Sequence, residues 1–150
     1  MATYQHVLQT LWLAMGVAAG GALGTLFRWG VQSTWPVFFG AVPFFIPTLV
    51  VNVVGCVLMG VLGGLRPYWP WLRHDTGWAW LATGFLGGLT TFSTLGIEMV
   101  RLMSSPTNDG YPWPMVAAGY GLGSLLLGVL GVGLGMGLGS WLGRHFFTGQ

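Results

Sequence analysis

The chain has 150 residues, 53% of them hydrophobic and only 5% charged, with a mean hydropathy of +0.70. Soluble domains carry about a quarter charged residues, so this composition excludes a soluble globule and predicts an all-α integral membrane protein, one domain over residues 1–150. Five arginines, no lysine and three acids leave a net charge of +2 without a basic patch, which gives a nucleic-acid partner nothing to bind.

The start, M-A-T-Y-Q-H, lacks the basic region of a cleavable signal, so the first apolar segment is expected to be retained. Apolar stretches predict four transmembrane helices over about residues 11–30, 44–65, 76–103 and 114–142, each sufficient for the roughly 20 residues a bilayer crossing needs. The first carries Gly16, Gly20 and Gly24 at every fourth position, a face that admits another backbone, between Trp12 and Trp29 as interfacial anchors. A turn, S-T-W-P-V-F-F-G-A-V-P, leads to the second, with Pro47 in its first turn. The loop R-P-Y-W-P-W-L-R-H-D follows, then the third span, then the turn-rich S-S-P-T-N-D-G-Y-P-W-P. The fourth span repeats glycine at 131, 135, 139 and 143, with Gly133 and Gly137 between. Alternating glycines also suit a strand, but a lone strand cannot satisfy its backbone in lipid, so a helix is expected.

The third span contains the stretch that fits its surroundings least, Gly84 to Glu98. Gly87 and Gly88 each cost a helix interior about 1 kcal/mol relative to alanine. Thr90, Thr91, Ser93 and Thr94 follow, and such hydroxyls favour helix starts by accepting from freed N–H groups. A helix broken near residues 86–90 and restarted is predicted, mid-membrane. Broken backbone is tolerated there only inside protein or along an aqueous path, where its carbonyls and N–H groups can hold ions.

Arginine bias hardly orients the spans. Arg66, Arg73 and Arg144 fall on the side of the termini, Arg28 and Arg101 on the other, a near-tie that permits both orientations and hence an antiparallel dimer.

Among polar side chains, Asn52 and Thr48 share one face of the second span, either as interhelical glue or as a polar track. Tyr120 and Ser124 share a face of the fourth, although serine often bonds its own i−4 carbonyl. Glu98, three residues before Arg101, is expected to form a local ion pair near the membrane face rather than a proton relay. Arg28 either snorkels or packs against a partner. Cys56 cannot form an internal disulfide, and His6, His74 and His145 lack ligand-like spacing. No paired carboxylates, nucleophile–base pair or phosphate loop is present, so an enzyme is not expected. Hydroxyls, an amide and aromatic edges without fixed charge suit a small anion that must shed water without being trapped.

Three segments resemble the Fluc (CrcB) family of fluoride channels: G-G-A-L-G-T-L-F-R-W in the first span, P-T-L-V-V-N-V-V-G in the second and G-F-L-G-G-L-T-T-F-S-T-L in the third. Their order and spacing agree, so the resemblance covers nearly the whole chain. It implies an antiparallel dual-topology homodimer in the bilayer of the cell inner membrane, exporting fluoride passively through two pores. It implies a structural sodium ion held by main-chain carbonyls of Gly87 and Thr90, with Gly88 and Arg28 in structural or dimer roles. The matching pore positions are Asn52, Thr48 and Phe92, with Ser93 and Thr94 as further donors and Tyr120 and Ser124 on the fourth span. One position departs: Leu95 stands where the family has the second phenylalanine of an aromatic pair. The alternative is a small dual-topology proton-coupled cation or drug exporter, which needs a membrane-buried acid. The first span has none, and Glu98 is expected near a helix end.

Overall fold

The computed structural model describes residues 2–40, 43–105 and 113–147, all organised as helices and short connections. Helix α1 (Ala2–Phe39) runs for 38 residues, about 57 Å at 1.5 Å per residue. It far exceeds the expected 11–30. The S-T-W-P-V-F-F segment, read from the sequence as a turn, is helical, with Pro36 inside it and Thr34 Oγ1 donating to the Gly30 carbonyl at 2.8 Å. Proline removes one helical N–H but does not by itself forbid helical φ. What ends α1 is Gly40, at φ +71°, whose N–H returns to the Pro36 carbonyl at 3.1 Å. The rest of that expected turn, residues 41 and 42, lies outside the described residues.

Helix α2 (Ile46–Leu65) has 20 residues with Pro47 in its first turn, close to the expected 44–65. The polar loop folds into a single turn, α3 (Pro70–Arg73), before α4 (Asp75–Trp78). Arg66 reaches Asp75 at 3.6 Å and lies 4.6 Å over the Trp78 ring, tying the end of α2 to the start of α4. A π-helical segment (Ala79–Leu86) and α5 (Gly87–Leu89) continue the same rod. Thr90 (φ −82°, ψ 155°) and Thr91 (φ −149°, ψ 124°) are extended, and α6 (Phe92–Met103) begins at once. The non-helical residues therefore begin at the last position of the expected 86–90 window and run one residue past it. Gly87 is ordinary helix (φ −64°, ψ −36°). Gly88 is needed for closeness, since a Cβ there would fall on the Gly21 carbonyl of α1. Helix α7 (Trp113–Phe147) has 35 residues, extending past the expected 114–142; residues 106–112 of the preceding loop lie outside the described residues.

Two glycine-lined contacts assemble these rods. Helix α1 lies along the π-helical segment and α5, where a Cβ at Gly20 or Gly24 would strike the Trp80 or Phe85 carbonyl. Helix α2 lies along α7: Gly60 faces the Val132 carbonyl, while Gly135 and Gly139 face those of Val57 and Val61. Gly133 and Gly137 of α7 face open space, so the every-fourth stripe is the packed one. Such small-residue faces bring backbones to van der Waals distance, which helices in lipid require because burial of apolar area gives them no drive. Val51, Leu86 and Leu89 form one core where α2 meets the rod; Leu102, Ala117 and Tyr120 form a second between α6 and α7, flanked by Phe45, Leu49 and Leu95. Three helices, over Gln5–Phe39, Ile46–Leu65 and Trp113–Phe147, are long and apolar enough to cross a membrane. The fold is that of an all-helical membrane protein.

Candidate functional site

The interruption at Thr90 and Thr91 leaves peptide groups that a continuous helix would satisfy. Asn52, on α2, takes up two of them. Its Nδ2 donates to the Thr91 carbonyl at 3.0 Å, and its Oδ1 accepts from the Thr91 N–H at 2.8 Å. The amide side chain thus pairs with one residue's main chain as a neighbouring strand would. The Thr91 hydroxyl caps α6, accepting from the Thr94 N–H at 3.3 Å and lying 3.1 Å from the Thr94 hydroxyl and 3.2 Å from that of Ser93. Thr90 folds back locally, its hydroxyl donating to the Leu86 carbonyl at 3.1 Å.

The interruption redirects the N–H groups that the carbonyls of residues 87–90 would accept in an unbroken helix, Gly87 and Thr90 among them. In an unbroken helix the Thr91 N–H would return to Gly87 and the Thr94 N–H to Thr90. Here they go to Asn52 and to the Thr91 hydroxyl instead. The Gly88 carbonyl is already engaged by Arg28 Nε (3.3 Å) and the Thr25 hydroxyl (3.4 Å), while Arg28 also reaches the Thr94 hydroxyl at 3.5 Å. Arg28 therefore turns inward onto the interruption. Among the described residues no cluster of His, Cys, Asp or Glu could hold a metal, so an ion here would rely on main-chain oxygens, the hard ligands that alkali and alkaline-earth cations accept.

A second polar cluster lies one turn further along α6. Glu98 is 6% exposed and forms no ion pair with Arg101, contrary to expectation. On α6 it shares the inward face with Leu95 and Leu102, whereas Arg101 is exposed. Its Oε1 accepts from the Thr48 hydroxyl at 2.8 Å and its Oε2 from the Tyr120 hydroxyl at 2.6 Å. Thr48 itself, 1% exposed, accepts from Gln32 Nε2 of α1 at 3.0 Å. Four elements thus meet around one carboxylate. Sequence reading missed Glu98 because i+3 spacing to an arginine looked sufficient. It missed Gln32 because that residue lies past the expected end of the first span at residue 30; its place four residues after Arg28, on the same helical face, was the available signal.

The other expected residues sit around these two clusters. Ser124 donates to the Tyr120 carbonyl at 2.7 Å, the local bond common for serine in membrane helices. The Phe92 ring is 86% exposed. Leu95 packs beside Tyr120 and Phe45, whose rings lie 4.9 Å apart. An open groove of about 540 Å³ runs between α2, the interruption and α7, bordered by Asn52, Thr90, Phe92, Leu95 and Ser124.

An all-helical membrane chain whose interrupted rod is stapled by an asparagine, beside a buried acid held by neutral hydroxyls, defines a narrow class. Residues 15–136 match the family described as CrcB-like protein, Camphor Resistance (CrcB). The fluoride-specific ion channel FluC 2 of Nocardia farcinica is 37% identical over 129 residues, 86% of either chain. The fluoride-specific ion channel FluC of Pseudomonas fluorescens is 38% identical over 130 residues, 84% of this chain and 95% of that one. Its namesake in Gloeobacter violaceus is 46% identical over 114 residues, 75% and 84% of the two chains. The chain belongs to the CrcB family.

Proposed function

We propose that this protein is a passive, fluoride-selective channel and not an enzyme, working as an antiparallel dual-topology homodimer in the cell inner membrane. The observation that carries this reading is the interrupted rod held by Asn52 next to a run of uncharged donors. Fluoride is small and strongly hydrated, and a path that strips its water must offer replacement donors without trapping it; the nearby Arg28 guanidinium is already engaged by the Gly88 carbonyl and the Thr94 hydroxyl. Ser93 and Thr94 bring hydroxyls to the interruption and Asn52 keeps one N–H beyond its bond to Thr91, while the protons of Thr48 and Tyr120 are engaged by Glu98. Phe92 would present its electropositive ring edge.

The run from α4 through α6 serves as the third of four spans, its extended residues at mid-bilayer. The groove bordering it is the face for a second copy. Gly87 is compatible with this: a Cβ there would meet nothing within 4 Å of the single chain, which leaves room for another chain to approach. The exposed Phe92 ring, facing the same groove, gains its surroundings in the same way. The carbonyls of Gly87 and Thr90 from both copies would hold a structural sodium ion, which satisfies them and lends positive potential to the adjoining anion routes.

Buried Glu98 favours a second reading, a proton-coupled exporter of cationic substrates, since it supplies the acid that such chemistry needs. Both carboxylate oxygens accept from hydroxyls, which suits a carboxylate holding donors in place. Purified protein in liposomes loaded with fluoride decides between them. Electrode-read fluoride efflux without a proton gradient, with chloride retained, is expected. Absence of fluoride efflux, together with proton-driven cation export lost in Glu98→Gln, would establish the exporter instead.

A further inference from the structure

We propose that the two orientations of this chain in the membrane are unequal, that the end bearing the termini lies mostly in the cytoplasm, and that Arg101 alone sustains the opposite orientation; this rests on the dual-topology reading above. Counted by sequence, three arginines oppose two only if Arg28 belongs to the end where α1 finishes. Its guanidinium lies elsewhere. Arg28 Nε donates to the Gly88 carbonyl at 3.3 Å, two residues before Thr90. Thr90 is level with the middle of the 20-residue α2, since a Cβ on Gly55 would fall on the Thr90 methyl. The Arg28 side chain therefore runs back along α1 toward the N-terminus, as helical side chains do, and ends near half depth. A charge at half depth stands equally far from either face, so turning the molecule over leaves its energy unchanged. Arg28 drops out of the comparison, held there by Gly88 and the Thr94 hydroxyl.

The other four arginines are divided unevenly. Arg66, Arg73 and Arg144 gather at one end, where the Tyr68 ring lies against Gly143, Trp69 stacks 6.4 Å from Phe147 and Arg66 reaches Asp75. Arg101 stands at the other, exposed beside Leu102, whose core is flanked by Phe45 and Trp113. The chain has no lysine, and neither residues 31–45 nor 104–112 contain an arginine, so Arg101 is the only lysine or arginine at that end. Three against one favours the orientation that keeps the three inside, because retention in the cytoplasm follows arginine and lysine and takes little account of acids such as Asp75. An antiparallel pair needs one molecule of each orientation. The rarer orientation therefore limits the number of pairs, and Arg101 sets how rare it is.

For the test, Cys56→Ala removes the only cysteine and Gln150→Cys adds one at the end bearing the termini. A membrane-impermeant maleimide applied to intact cells marks chains with that end outside, and a second label after lysis counts the rest. Fewer than half of the chains are expected to label from outside. Arg101→Gln is expected to cut outside labelling severalfold and to slow fluoride efflux from vesicles of the same membranes. Ser104→Arg, at the exposed end of α6, is expected to restore both when added to Arg101→Gln, which separates charge from any local role of Arg101. Arg73→Gln is expected to raise outside labelling toward half. Arg28→Gln is expected to leave the ratio unchanged, and labelling reads orientation whether or not the interruption still folds. Equal labelling from the two sides, a ratio that Arg101→Gln does not move, or one that Arg28→Gln moves as far, would overturn the proposal. Ratios that shift as stated in chains that pass no fluoride would keep the arginine count and remove the channel.

Discussion

Asn52 holds both polar groups of a single peptide residue, so it is the side chain on which the interruption most directly depends. Truncation by Asn52→Ala strands the Thr91 N–H and carbonyl, costing about 2–4 kcal/mol if neither finds water. Thermal unfolding in detergent is expected to show a lowered Tm, and fluoride efflux to fall with it. Asn52→Asp sets a carboxylate oxygen against the Thr91 carbonyl and a negative charge beside the anion path, so it is expected to be no better than Asn52→Ala in either measurement. Glu98 gives a different prediction. In Glu98→Gln one oxygen becomes an NH2, which cannot accept from a hydroxyl, so Thr48 or Tyr120 must turn its proton elsewhere. Slower fluoride efflux with little change in Tm is the expected result; an unchanged rate would detach this carboxylate from the path.

At the scale of elements, the two glycine-lined contacts carry the assembly and are more sensitive than the apolar faces. Gly60→Ala or Gly135→Ala drives a methyl into a facing backbone carbonyl, which can be relieved only by separating α2 from α7. A loss of folded protein on size-exclusion chromatography is expected for both. Gly133→Ala and Gly137→Ala, one register away on open faces, are expected to elute as wild type. The every-fourth spacing made the α7 stripe legible in sequence, because side-chain periodicity is local. Helix ends were less legible. The serine, threonine and proline of residues 33–36 looked like a turn, yet each is compatible with helical φ, and only the left-handed Gly40 stops the chain.

For the whole molecule, the sodium-bound dimer has its own tests. Replacing sodium on both sides of the membrane by a large organic cation is expected to abolish fluoride efflux, and undiminished efflux would refute the structural ion. Gly87→Leu places a side chain where the single chain has room, so the fold is expected to survive while the dimer separates. Elution of that variant at the wild-type size would argue against the groove as the contact between copies.

Composition and periodicity alone established a helical membrane protein with glycine-faced helices and a hydroxyl-rich stretch after Gly87. Those are properties of neighbouring residues in one chain, written by spacing and by hydropathy. The partners of Asn52, the inward turn of Arg28, the burial of Glu98 and the bond from Gln32 to Thr48 were decided only by tertiary structure. Each depends on which face of one helix meets another across sixteen to sixty-six residues of sequence, a relation that no local pattern encodes.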